Sequence, residues 1–193
     1  MLLSHLRQPL RVVAAASVIF SLAQLPASGQ GAALGQFEGH GDIGAPKIAG
    51  SAVYNAVSQE YSLSAGGVNM WAQKDEFHFV WKRMTGDFIL QARVELVGKG
   101  VDPHRKVGLM VRPSQDADAP YVDGMVHGDG LTSLQFRRAK GAITEQIESA
   151  VKGADIIQIE RKGQTHLFSA AEFGDPFTNS QVSDVNLGDD VLV

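Results

Sequence analysis

Between Lys106 and Arg138 the chain reads KVGLMVR, PSQDADAP, YVDGMVHGDG and LTSLQFRR, and in three of these runs apolar residues recur at every second position. A period of two belongs to a pleated strand, whose successive side chains point to opposite faces of a sheet. One parity carries Leu109, Val111, Val122, Val126, Leu134 and Phe136, the composition of a buried face. The other carries Met110, Arg112, Asp123, Met125, His127, Gln135 and Arg137. If the three strands are neighbours, this second set gathers two guanidinium groups, an imidazole and a carboxylate on one platform. Elsewhere the polar groups are scattered, so the platform is the candidate binding face.

The flanking chain reads the same way. Phe77, Phe79 and Trp81 alternate with His78, Val80 and Lys82, an aromatic parity suited to a half-buried pleated surface. After a Gly86-Asp87 turn, Phe88, Leu90, Ala92, Val94 and Leu96 alternate with Ile89, Gln91, Arg93 and Glu95. Short strands are also expected at Val53–Asn55 and Glu60–Ser64, with Tyr61 and Leu63 on one face. A weaker strand is expected over 143–149, whose Ile143/Ile147 spacing equally suits a helical turn. Ile156 to Arg161 and Thr165 to Glu172 flank a Lys162-Gly163 turn, and a polar loop follows to Leu187. Twenty-one glycines and turn signals every few residues, without a sustained 3.6 period, predict an all-β chain built as a two-sheet antiparallel sandwich.

The first 30 residues differ. Arg7 and Arg11 precede an apolar run from Val12 to Leu25, followed by Pro26-Ala27-Ser28-Gly29. This is the pattern of a secretory signal peptide over 1–29, and the run is shorter than the ~20 residues of a membrane span. The expectation is an exported protein, periplasmic or extracellular, with no stable membrane span after cleavage. Residues 30–41 read as a linker and 42–193 as one domain. The chain has no cysteine, so this domain holds together without disulfides. A net charge of −4 offers no basic stripe for nucleic acid.

Several stretches resemble one family. DIGAPKIAGSAVY, SAGGVNMWAQKDEFHFVWKRMTGDF, KVGLMVR and IQIERKGQTHLFSAAEFGDPF fall in order. Together they look like a secreted bacterial module of the concanavalin A-like lectin/glucanase (laminin-G-like) class. Such modules often precede a TolB-like β-propeller in Tol-type biopolymer-transport proteins. The resemblance runs from about Asp42 to Val193 and implies a jelly-roll sandwich. It also implies a further strand beyond Val193, so the domain is expected to lack its last strand and to leave an apolar edge open beside Val191. This fold hosts sugar binding, hydrolysis and adhesion, so the resemblance implies no single activity.

Hydrolysis by such a fold needs two carboxylates on one strand face, roughly 5–9 Å apart. The Glu-x-Asp-x-x-Glu strand of laminarinase-type members is missing here, so no catalytic residues are assigned. The six histidines show no metal-ligand spacing. Oxygen donors alternate in Ser114-Gln115-Asp116-Ala117-Asp118, which admits a structural Ca²⁺ but reads better as a solvated loop. His127-Gly128-Asp129-Gly130 reads as a sharp turn that can also present His127. For Arg112 and Arg137, a cross-strand ion pair with Asp123 on a solvated face competes with a forked donor for a sugar hydroxyl or carboxylate. Trp81 follows the core parity, whereas Trp71, at a strand edge after Gly66-Gly67, is the better candidate for stacking on a sugar. The candidate ligand-binding set is therefore Arg112, Asp123, His127, Gln135, Arg137 and Trp71, with no metal and no cofactor. The expected function is a non-catalytic binding module for glycans or another cell-envelope component. The alternative is a structural protein–protein interaction domain of a Tol-type envelope protein, with a glycoside hydrolase third.

Overall fold

The computed structural model describes residues 34–193. The expected signal peptide over 1–29 and the start of the expected linker lie outside the described residues. In chain order the strands are β1 (Gly39–Ile43), β2 (Ile48–Asn55), β3 (Glu60–Gly66), β4 (Met70–Trp71), β5 (Lys74–Asp75), β6 (Phe77–Trp81), β7 (Arg83–Met84) and β8 (Phe88–Arg93). They continue with β9 (Lys106–Val111), β10 (Tyr121–His127), β11 (Thr132–Arg137), β12 (Glu145–Glu148), β13 (Ile156–Lys162), β14 (Thr165–Ala171), β15 (Thr178–Val182) and β16 (Val191–Leu192). The described chain is all-β and every pairing is antiparallel. Among the described residues no helix is long and apolar enough to cross a membrane.

Two four-stranded sheets, β12-β11-β10-β9 and β15-β14-β13-β8, form a sandwich. The alternation seen in the sequence explains their contact. Leu109, Val111, Val122, Val126, Leu134 and Phe136 meet Phe88, Leu90, Ile157, Ile159, Phe168, Ala170 and Val182 in one apolar cluster. Each Val, Leu, Ile or Phe side chain among them contributes about 1.5–3 kcal/mol on full burial. The sheets approach closely where Gly124 faces Phe168, since a Cβ at Gly124 would lie 2.2 Å from the phenyl ring. The weaker strand expected over 143–149 is the shorter β12, in which Ile147 pairs with Leu134, while Ile143 lies before it. The stretch expected as a polar loop before Leu187 contains β15, which pairs along β14. Its sequence TNSQV has one large apolar residue, Val182, which is too weak an alternation to announce a strand.

The β9–β12 sheet is buried on its second face as well. Ile43 of β1, Met70 of β4 and Phe79 of β6 join Met110, Tyr121, Met125 and Leu192 in a separate cluster, with Phe77 and Trp81 against it. Every residue of β10 and β11 is consequently buried. The aromatic strand β6 pairs with β1, and Trp81 lies over Gly39 and Gly41, where a Cβ would come within 2.9 and 3.4 Å of the indole.

The expected open edge beside Val191 is corrected by the pairing. β16 pairs with β7, and Arg112 and Leu192 exchange two backbone hydrogen bonds of 3.0 and 2.7 Å. Val191, Leu192 and Val193 are all buried. These apolar residues sit between β7 and the end of β9.

Candidate functional site

The strand register places Asp123, His127, Gln135 and Arg137 on one face. Asp123 stands opposite both Gln135 and Met110, Tyr121 opposite Arg137, and His127 opposite Lys106. Directly opposed residues of an antiparallel pair share a face, so the parity expectation holds. The expectation of an open platform does not. Arg112, Asp123 and Arg137 are 0 % exposed, Gln135 is 1 % and His127 is 4 %. The apolar side chains of β1, β4 and β6 cover this face, and Met110 and Met125 among the polar set are what receives them.

The partner of the two arginines also differs from expectation. It is Asp75, not Asp123. Asp75 lies in β5, directly after the two-residue turn Ala72-Gln73 that follows Trp71, and this turn points its carboxylate into the covered face. Arg137 donates from Nη1 to Oδ2 at 2.9 Å and from Nη2 to Oδ1 at 2.7 Å, a forked pair. Arg112 Nη2 approaches the same carboxylate at 3.5 Å. Main-chain oxygens accept further donors, Ala119 and Ala72 from Arg137 and Ser114 and Asp116 from Arg112, while Arg112 Nη1 faces Met110 Sδ and Arg137 Nε is buried without a partner. Each guanidinium lies over an aromatic ring, Arg137 over Tyr121 at 4.9 Å and Arg112 over Phe77 at 5.3 Å. Burial raises the Asp75 carboxyl above its ordinary range, while the Arg137 hydrogen bonds and both guanidinium charges oppose that rise. Two guanidinium groups flank it. The triad ties β5 to β9 and β11, so its chemistry is that of a clamp.

Asp123 is left without a hydrogen-bond partner on either carboxyl oxygen. Burial drives its pKa well up, with the Lys106 charge opposing. Lys106 Nζ donates to Gln135 Oε1 at 3.3 Å, and burial lowers its own pKa. Gln135 in turn donates to Gln146 Oε1 at 3.2 Å. His127 sits in the expected turn: Gly130 N donates to His127 O, and Asp129 Oδ1 accepts from Leu131 N. Its Nδ1 lies 3.0 Å from Leu131 O, and burial lowers its pKa. Trp71 alone of the six candidates keeps substantial exposure, 37 %. In the 114–118 loop, Asp116 and Asp118 turn to Lys140 at 2.8 and 3.5 Å. Among the described residues no group of three or more His, Cys, Asp or Glu gathers as a metal site.

Sequence reasoning missed Asp75, which stands at the start of the aromatic strand with nothing local to mark it as a partner of residues far along the chain. It also missed a shallow cleft of about 570 Å³ lined by Lys152, Glu172, Asp175, Pro176 and Phe177 among others. Phe177 at this cleft and the neighbouring Phe173 are 42 % and 72 % exposed. A large exposed aromatic in an otherwise polar loop was the available signal. No family model matches the chain, and neither a curated protein nor a solved structure matches it.

Proposed function

We propose that the chain is a non-catalytic interaction domain of an exported envelope protein, a concanavalin A-like jelly roll that positions a partner protein. One observation supports this over capture of a small ligand on the central sheet. The Arg112–Asp75–Arg137 triad is spent on internal contacts, so the most polar face of the molecule stabilises the domain instead of offering free donors. Recognition then falls to the outer surface. Photocross-linking from the exposed Val53 and Leu63 in the exporting cell tests the proposal. A discrete adduct with one envelope protein is expected, and uniform background at both positions counts against it.

A second reading, glycan binding, is favoured by the cleft at Phe177, where an exposed ring stands beside Lys152, Glu172 and Asp175. Aromatic faces with a few adjacent polar groups suit sugar rings. A glycan array with the parent and Phe177→Ala separates the two readings. Array binding that disappears in the variant would replace the interaction reading with the glycan one.

A further inference from the structure

β1 and β6 carry a second polar cluster on the face turned away from Trp81. The register sets Asp42 opposite His78 and His40 opposite Val80, so His40 is the diagonal neighbour of His78. His78 Nδ1 lies 2.7 Å from Asp42 Oδ1, and His78 Nε2 lies 2.9 Å from His40 Nδ1. The main-chain N–H of Gly50 donates to both Asp42 oxygens at 3.0 and 3.1 Å. Gly50 is also required sterically, because a Cβ there would stand 2.3 Å from His78 Nδ1. The His78 side chain is 2 % exposed, whereas His40 is exposed. The acidic partner fixes the tautomer: Asp42 accepts the Nδ1 proton of His78, leaving the Nε2 lone pair aimed at the exposed ring. Hydrogen bonding to His78 and Gly50 keeps Asp42 below the usual carboxylate range.

We infer that His40 Nδ1 and His78 Nε2 form a two-nitrogen binding site for a divalent transition metal of the Cu²⁺ type, with Asp42 as the positioning residue of His78. A ligating imidazole characteristically donates its other N–H to a carboxylate, as His78 does. With the His40 ring turned, both nitrogens can meet one ion at the ~2.0 Å of a metal–imidazole bond. Imidazole suits Cu²⁺, Ni²⁺ and Zn²⁺, and of the divalent first-row ions Cu²⁺ binds nitrogen donors most tightly. Binding exchanges the shared N–H···N proton for the metal. The His40 proton moves from Nδ1 to Nε2 through solvent, and His40, being exposed, turns its ring to open the site. Water or a partner's donor takes the remaining positions.

The test is titration of the tag-free full chain with Cu²⁺ alone, read by calorimetry and by electron paramagnetic resonance, beside His40→Ala, Asp42→Asn and His104→Ala. His40 is exposed, so its variant keeps the fold, which circular dichroism checks. One ion per chain with nitrogen hyperfine structure is expected. His40→Ala should weaken binding at least about tenfold, and Asp42→Asn by about 10–100-fold. His104→Ala, at the separate His104–Asp129 contact, should leave the titration unchanged. Parent and His40→Ala curves that coincide would overturn the proposal, as would loss of the signal in His104→Ala.

Discussion

Arg137 and Asp75, 62 residues apart in the chain, share two parallel hydrogen bonds of 2.9 and 2.7 Å with both side chains 0 % exposed. The pair closes the polar face of the β9–β12 sheet and fastens the β4–β5 turn to it. Removing one member of a buried pair leaves an uncompensated charge, which costs far more than an exposed ion pair is worth.

The two buried acids on this side of the sheet should therefore behave in opposite ways. Asp75→Asn strips the charge from between two guanidinium groups and should cost about 3–5 kcal/mol. Asp123→Asn breaks no hydrogen bond to its side chain and should be neutral or stabilising at pH 7. The sign follows from linkage. Asp123 has a raised folded pKa, so the folded state holds a proton that the unfolded state gives up, and stability falls as pH rises above the ordinary carboxylate range. The Asn variant lacks that slope. Urea unfolding at several pH values reads both effects.

Close approach of the two sheets gives a second test. Gly124→Ala pushes a Cβ into the Phe168 ring, an overpacking that should cost about 1–3 kcal/mol. Trp81→Ala removes an indole seated over Gly39 and Gly41 and should cost about 3 kcal/mol, towards the lower end for a large aromatic because the ring is only partly buried. Trp71→Ala should cost less than either, since Trp71 is 37 % exposed. Thermal melts of the three variants order them.

Much of the sandwich was legible. The period-two runs fixed both faces of β9, β10 and β11, and the inward set of β8 matches the core. What stayed hidden was the third layer. Parity says which residues share a face but not what covers it, and Arg112, Asp123 and Gln135 read as solvated because their cover comes from residues 43–81. Met110, Met125 and Tyr121 on that parity were the trace of it. Asp75 was hidden for a related reason: an ion pair across 62 residues leaves no spacing to read. The His40–His78 contact depends on a diagonal register between β1 and β6, which a search for ligand spacing along one segment cannot find.

Acid should weaken the domain through His166. Its ring is 0 % exposed, neither nitrogen has a partner, and burial together with the Arg161 charge lowers its pKa to about 4. Between the ordinary histidine value near 6.5 and about 4, the unfolded chain binds a proton that the folded chain refuses. Stability therefore falls as pH drops through that window, by at most about 1.4 kcal/mol per pH unit. Below it both states are protonated and this contribution levels off. His166→Leu should flatten that part of the stability–pH curve, measured by urea unfolding between pH 7 and pH 4.

The buried clamp is tested most directly by the unfolding free energy of Arg137→Ala in urea. The structure predicts a loss of about 3–5 kcal/mol, because Asp75 is left buried with only the longer Arg112 contact. A loss below about 0.5 kcal/mol, the usual effect of changing an exposed residue, would mean that the arginine face is open to solvent and would contradict the account.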